Sequence, residues 1–159
     1  MQKETYHSFY EIPAIVHQVG DADVTGASID TRGYDSLTFN ISFGEISSVS
    51  FASYWVLRMQ HTDASALGAG PSDYANCEGS HVIGSGMSLA HVLTSGILFS
   101  VDGSTLSNLV TSYGYRGTKR YVRIFLEEKG NLSTIGIAAT ARLGHAAQWP
   151  AVGGVSVTL

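Results

Sequence analysis

The residues of this chain that are able to carry chemistry do not fall into a catalytic or metal-binding spacing. The six histidines form neither an HxH nor an HExxH motif, and no helix face presents two of them as zinc ligands. They are His7, His17, His61, His81, His91 and His145. His61 closes a predicted strand, where a satisfied strand-end hydrogen bond accounts for it. No metal site is predicted.

Nucleophiles and acids are present without the local frameworks that activate them. No GxSxG nucleophile elbow occurs, and no GK[ST] follows the glycines between residues 68 and 86. Asp21 with Asp23, and Asp73 with Glu78, would offer oxygens to calcium, but the ligand loop of an EF-hand is absent and solvated turn acids are the simpler interpretation. We therefore expect neither an enzyme nor a cofactor.

Cys77 is the single cysteine, so the chain has no internal disulfide and no cysteine pair for a zinc or thioredoxin-type motif. Its surroundings, ANCEG, contain no histidine or basic residue to activate the thiol. A spectator thiol is expected.

Composition limits the classes of partner. The 159 residues suit one domain with a single core, and charged residues make up only 14% of them. A net charge of -4 argues against nucleic acid, because binding phosphates requires a basic field. No run approaches the roughly 18 apolar residues of a membrane span, and the N-terminus does not resemble a signal peptide. We expect no nucleic acid, no membrane, and synthesis in the cytoplasm.

Alternating apolar and polar residues dominate the chain and predict β-strands. The clearest are SLTFNISF (36–43), YWVLRMQH (54–61), RYVRIFLE (120–127) and TIGIAATARLG (134–144), of which the last two are predicted to pair as a hairpin across EKGN. Shorter candidates lie at 14–19, 27–30, 81–84, 96–101, 109–115 and 155–159, while 86–95 and 104–110 could be short helices. Gly-rich turns separate these segments. The fold class predicted is all-β, a single-domain antiparallel β-sandwich of jelly-roll-like type.

Three segments fall outside the regular pattern. Residues 1–13 are polar and aromatic and are predicted to form an extended N-terminal arm, before a sandwich domain at 14–147. Residues 148–159 are expected to form a C-terminal tail or strap. The Gly-, Ala- and Ser-rich span from 62 to 86 is long for a connection in a compact domain, which indicates a functional or mobile loop.

The segment GYRGTKRYVRIFLE concentrates basic and aromatic residues. Four of the nine lysines and arginines lie here: Arg116, Lys119, Arg120 and Arg123. With Tyr113, Tyr115, Tyr121 and Phe125 they would suit either a stacking platform for single-stranded nucleic acid or sugar, or a protein interface, and the acidic chain favours the interface. Val122, Ile124 and Leu126 are predicted to fill the core, with Tyr121, Arg123 and Phe125 facing outward.

Four motifs, GYDSLTFNISFG, WVLRMQHTDAS, GYRGTKRYVRIFLE and IGIAATARLGHA, resemble small structural proteins encoded beside the major capsid gene of tailed bacteriophages. This group includes head decoration, or cement, proteins. The resemblance covers about residues 33–65 and 112–147. It implies a virion protein that binds the outer face of the major capsid protein shell and stabilises it, with assembly in the host cytoplasm.

The implied partners are the capsid protein and further copies of the chain, as a homodimer or homotrimer. The residues expected to bind partners are Tyr6, Phe9, Tyr10, Arg116, Lys119, Arg120 and Trp149. Two alternatives stay open: a head-completion or tail component, and a carbohydrate-binding attachment module that would use Trp55, Trp149 and the tyrosines for stacking. Trp55 alternates with the buried set and is expected in the core.

Overall fold

Two antiparallel sheets pack face to face and confirm the predicted all-β sandwich. The structure is a computed structural model that describes residues 9–48, 50, 52–64, 71–84, 96–101, 108–130 and 133–146. In chain order its strands are β1 (Phe9–Gly20), β2 (Val24–Thr25), β3 (Ile29–Asp30), β4 (Tyr34–Ser47), β5 (Tyr54–Thr62), β6 (Ala75–Asn76), β7 (Val82–Gly84), β8 (Ile97–Val101), β9 (Val110–Tyr115), β10 (Tyr121–Lys129) and β11 (Thr134–Ala146).

The first sheet has the strand order β1-β11-β4-β9-β7. The second sheet has the order β2-β10-β5-β6, with β3 also paired to β10 and β8 to β5. At one edge the two sheets are joined through the chain after β2, where the N–H of Gly26 donates to Ile124 and the N–H of Ala27 donates to Ala14. Short 3₁₀ turns at Pro71–Asp73 and Gly79–His81 flank β6 and lead into β7.

The core lies between the sheets and follows from the alternation of the long strands. In β4, Phe39, Ile41 and Phe43 are fully buried while the intervening side chains face away. The same alternation in β5, β10 and β11 turns the following side chains inward: Trp55, Leu57, Met59, Val122, Ile124, Leu126, Ile135, Ile137, Ala139, Ala141 and Leu143. Trp55 is therefore a core residue, as expected. Removing these side chains from water is the main favourable contribution to folding.

The predicted hairpin between β10 and β11 is wrong. β10 pairs with β5 along nine residues, whereas β11 pairs with β1 and β4, so the intervening turn crosses from the second sheet to the first. The pairing of β10 with β5 places Ile124 opposite Met59 and Leu126 opposite Leu57. Alternation shows which side of a strand is apolar. It does not show to which sheet the strand belongs, because strands of both sheets turn their apolar side toward the same core.

The predicted boundary of the N-terminal arm is also wrong for its last five residues. Phe9 to Pro13 open β1 and pair with β11 from Gly144 to Thr140. Tyr10 and Ile12 pack against the core, which explains why this stretch joins the sheet. Pro13 is tolerated because β1 is an edge strand with a register irregularity directly after it. Residues 1–8 and 148–159 lie outside the described residues.

The shorter strands agree with most sequence predictions. Segments 14–19, 27–30, 81–84, 96–101 and 109–115 all contain strand residues. The predicted strand at 155–159 and the candidate helix at 86–95 lie outside the described residues. Of the candidate helix at 104–110, the structure describes only 108–110, where Val110 begins β9.

The outward side of β10 is covered by the chain's own residues. Tyr121 and Arg123 face away from the core as predicted, yet both are buried. The guanidinium of Arg123 lies 3.7 Å from the ring centre of Tyr74 and donates to the side-chain oxygen of Gln60 at 2.9 Å. Part of the span from 62 to 86 therefore covers the second sheet. This packing removes Arg123 from any stacking platform.

Candidate partner-binding site

One end of the sandwich gathers most of the residues expected to bind partners. β1 begins there and β11 ends there, and the register places Tyr10, Leu143, Leu37, Tyr115 and Val82 side by side across the first sheet. The turn from 116 to 120 leads from this row into the second sheet. We call this the terminal end, and it comprises Phe9, Tyr10, Tyr34–Ser36, His61, Asp63, His81 and Tyr115–Arg120.

Phe9 and Tyr10 are held by the sheet. The guanidinium of Arg142 lies 4.3 Å from the ring centre of Phe9 and also forms an ion pair with Glu11 at 2.7 Å. Tyr10 packs against the core cluster together with Tyr34. Burial raises the pKa of Tyr34, and the neighbouring Tyr10 raises it further. Both aromatic residues are thus fixed in position at the terminal end.

Two of the three cations in the turn are paired with aspartates. Lys119 Nζ lies 2.5 Å from Asp63 Oδ2. Arg120 donates to both carboxylate oxygens of Asp30, from Nε at 3.0 Å and from a terminal nitrogen at 2.6 Å. The hydrogen bond from Lys119 lowers the pKa of Asp63, and the one from Arg120 lowers the pKa of Asp30.

Arg116 differs from these two cations. Its backbone N–H donates to the carbonyl of His81 at 2.7 Å, which fixes the start of the turn. Its side chain is exposed and makes no ion pair with the described part of the chain. Of the predicted basic cluster, Arg116 alone therefore offers a cationic group that this part of the chain does not already neutralise.

A shallow polar cleft of about 130 Å³ opens beside Arg116. Its lining residues are Thr31, Tyr34, Asp35, Ser36, Leu37, Tyr115, Arg116 and Gly117. The cleft combines a guanidinium, a carboxylate, hydroxyl groups and aromatic edges. Such a surface suits a polar contact with another protein, where arginine and tyrosine are enriched.

A buried histidine links the two sheets beneath the turn. His61 Nδ1 lies 3.0 Å from the hydroxyl of Tyr115, and the His61 ring centre lies 4.9 Å from that of His81. The Tyr115 hydroxyl also accepts the N–H of Lys119 at 3.0 Å. Burial raises the pKa of Tyr115 to about 12 and lowers the pKa of His61. The strand-end hydrogen bond expected for His61 is present.

Two further candidates for chemistry, Cys77 and Tyr113, lie in the interior of the sandwich. Cys77 is fully buried, and burial raises the pKa of its thiol to about 12. Tyr113 is also buried, so it does not join Tyr115 in an exposed platform. Among the described residues, no group of three or more His, Cys, Asp and Glu residues could hold a metal ion. No described helix is long and apolar enough to cross a membrane.

The structure places five of the seven residues expected to bind partners at the terminal end, next to aspartates that the sequence did not indicate. Phe9, Tyr10, Arg116, Lys119 and Arg120 lie at the terminal end. Tyr6 and Trp149 lie outside the described residues, three positions from the ends of β1 and β11. The partner aspartates gave no sequence signal, because Asp63 and Asp30 are 56 and 90 positions from the cations that they bind.

Comparison with known proteins returned no match: no family model, no curated protein and no solved structure corresponds to this chain.

Proposed function

We propose that this chain is a bacteriophage capsid decoration, or cement, protein. It binds the outer surface of the major capsid protein shell, contacts that shell through the terminal end, and strengthens it against internal pressure. The observation that carries the proposal is that three features lie at one end of the sandwich: the start of β1 with Phe9 and Tyr10, the end of β11, and the exposed guanidinium of Arg116.

The arrangement of charges supports adhesion to another protein. At the terminal end, Lys119 and Arg120 already have carboxylate partners, so docking there does not leave either charge unpaired. The aromatic residues are anchored by β1, and little side-chain freedom is lost when they are covered. Arg116 supplies a directional contact to a carboxylate or carbonyl of the shell.

Multivalency supplies the strength that a small contact lacks. Adjacent capsid subunits present the same docking surface repeatedly, and an oligomer that engages two of them binds the second at high effective concentration. A rigid two-sheet domain transmits this restraint between the subunits that it bridges.

Cosedimentation tests the proposal. Undecorated shells assembled from the capsid protein of the same genome are mixed with the purified chain, and bound copies are counted per shell. We expect saturation at a copy number comparable with the number of capsid subunits. Only a few bound copies would instead favour a head-completion or tail component, and no binding would contradict the proposal.

A pair of variants locates the contact. Arg116→Glu reverses the exposed charge at the terminal end and should weaken binding by about tenfold or more, the equivalent of about 1.4 kcal/mol. Ser100→Glu, at an exposed position on β8, adds the same acidic group elsewhere and should bind like wild type. Equal binding by both variants would remove the terminal end as the contact.

A further inference from the structure

The outward face of the first sheet carries the exposed apolar side chains of the described structure. Four large apolar residues are strongly exposed: Val16 at 77%, Val19 at 67%, Ile83 at 55% and Val110 at 68%. Val110 pairs with the outward-facing Ser42, and Val16 follows the inward-facing Ile15. Val19 and Ile83 pair with Gly136 and Gly114, which lie at outward positions between inward-facing residues. All four therefore lie on one face, which we call the open face.

One row of paired residues crosses the open face from strand to strand, and the residues at its two margins are of the same type. Ser42 pairs with Ala138 on one side and with Val110 on the other. Val16 and His17 lie in the irregularity of β1 between Ile15, opposite Ala139, and Gln18, opposite Ile137, and so flank Ala138. The row thus reads Val16, Ala138, Ser42, Val110, with an apolar residue at each margin and two small residues at its centre.

Two glycines beside this row, Gly44 and Gly136, lie at the register irregularity between β4 and β11 and keep the face low there. A Cβ at Gly44 would meet its nearest neighbour at 3.7 Å, and one at Gly136 would do so at 3.5 Å, both ordinary contacts. Neither glycine has the positive φ that excludes other residues. A glycine inside a strand often marks such a bulge, and it also leaves room for another backbone to approach closely.

Charge and area both permit a second copy of the same face. Glu11 and Arg142, which face outward near its edge, neutralise each other at 2.7 Å. That pair adds no net charge to the face, although the chain as a whole carries -4. With about 3.3 Å per residue and about 4.8 Å between strands, the four strands that this row crosses cover roughly 700 Å², slightly below the roughly 800 Å² that each partner buries in a stable complex.

We propose that the open face binds the open face of a second copy, across a two-fold axis that runs along the strands between β11 and β4. This axis places Val16 against the partner's Val110, and Ala138 against the partner's Ser42. Each contact occurs twice, as an isologous interface requires. The small central residues let the two sheets approach to about 10 Å or less. The dimer involves a surface other than the terminal end and does not depend on the proposed function.

Charge-swap variants test the axis as well as the face. Light scattering after gel filtration should give wild type twice the 16.9 kDa mass of one chain. Val16→Asp and Val110→Lys should each reduce the mass to one chain, because an unpaired charge replaces an apolar contact at both ends of the row. An equimolar mixture of the two variants, or a chain carrying both changes, should recover the doubled mass, because aspartate then faces lysine.

Controls separate this result from misfolding. Both valines are mostly exposed, so circular dichroism and thermal unfolding should show folded chains. Ser100→Asp, on the second sheet, should keep the doubled mass. A monomeric wild type at its highest soluble concentration, or single variants that keep the doubled mass, would overturn the proposal. Single variants that dissociate without recovery on mixing would overturn the proposed axis.

Discussion

The residue types of Lys119 and Arg120, taken alone, overestimate the positive charge that is available for binding a partner. Their clustering in GYRGTKR predicted a basic surface, and their position at the terminal end agrees with it. The aspartates that neutralise them come from distant parts of the chain, so Arg116 carries the charge at this turn that the described residues leave unpaired. A sequence pattern gives the charges of neighbours along the chain, whereas the local field depends on residues brought together by folding.

His61 should make stability depend on pH near neutrality. Burial, followed by His81 and Lys119, lowers its pKa below the ordinary value of 6.5, while Asp63 and Glu78 partly oppose this. The unfolded chain therefore binds the proton at higher pH than the folded chain. The free energy of unfolding should fall as pH drops below about 6.5, and level off below the folded pKa.

Denaturant titrations at about pH 7.5 and about pH 5.5 measure this effect directly. His61→Gln should reduce the loss of stability between the two pH values. Asp30 and Asp63 do not contribute to the difference between these two pH values, because their pKa values are lowered below 3.8. An identical pH dependence in His61→Gln and wild type would contradict the assignment to His61.

Single elements were more predictable than their arrangement. The alternation in residues 36–43 identified β4 and its inward residues, because a strand with one buried face must repeat every two positions. The pairing of β10 and β11 was not predictable in this way, because their inward residues face one core from different sheets. The start of β1 was missed because residues 1–13 as a whole are polar and aromatic and end in Pro13. That composition is typical of an extended arm, and it hides the short alternation of Tyr10 and Ile12 with Glu11 and Pro13.

β4 provides a matched test of the inward and outward positions. Leu37 is 3% exposed, so Leu37→Ala should lower the free energy of unfolding by about 2–5 kcal/mol. Its neighbour Ser36 is exposed, and Ser36→Ala should change stability by less than about 0.5 kcal/mol. Chemical denaturation monitored by tryptophan fluorescence measures both variants. Similar effects at the two positions would contradict the register of β4.

Truncation distinguishes a strand from an arm at the N-terminus. Removal of residues 1–13 deletes the first five residues of β1 and uncovers the core beside Leu143. We expect a loss of about 2–4 kcal/mol, from the apolar area of Tyr10 and Ile12. Removal of residues 1–8 keeps all of β1 and serves as the control. Equal stability of the two truncated chains would show that Phe9 to Pro13 do not contribute to the sheet.

At the scale of the whole molecule, two surfaces have separate roles in our account. The terminal end contacts the shell, and the open face joins two copies. A dimer then presents two terminal ends, which allows the avidity that the decoration proposal requires. The fold class followed from the sequence, but neither surface did, because both are assembled from strands distant along the chain.

This separation predicts different consequences for variants of the two surfaces. Arg116→Glu should keep the mass of wild type in light scattering while binding shells weakly. Val16→Asp should halve the mass and also lower shell occupancy, by about 10²-fold or more in apparent affinity, because avidity is lost. Cosedimentation of both variants beside wild type gives the comparison. An Arg116→Glu chain that changes mass, or a Val16→Asp monomer that binds shells as tightly as wild type, would contradict the division of roles.

The most direct test of the decoration proposal is a cryo-electron microscopy reconstruction of shells saturated with the purified chain. The account predicts ordered two-sheet density repeated over the outer surface of the shell, with the terminal end directed toward the capsid protein. A shell surface without such density, or density confined to a single vertex, would contradict it.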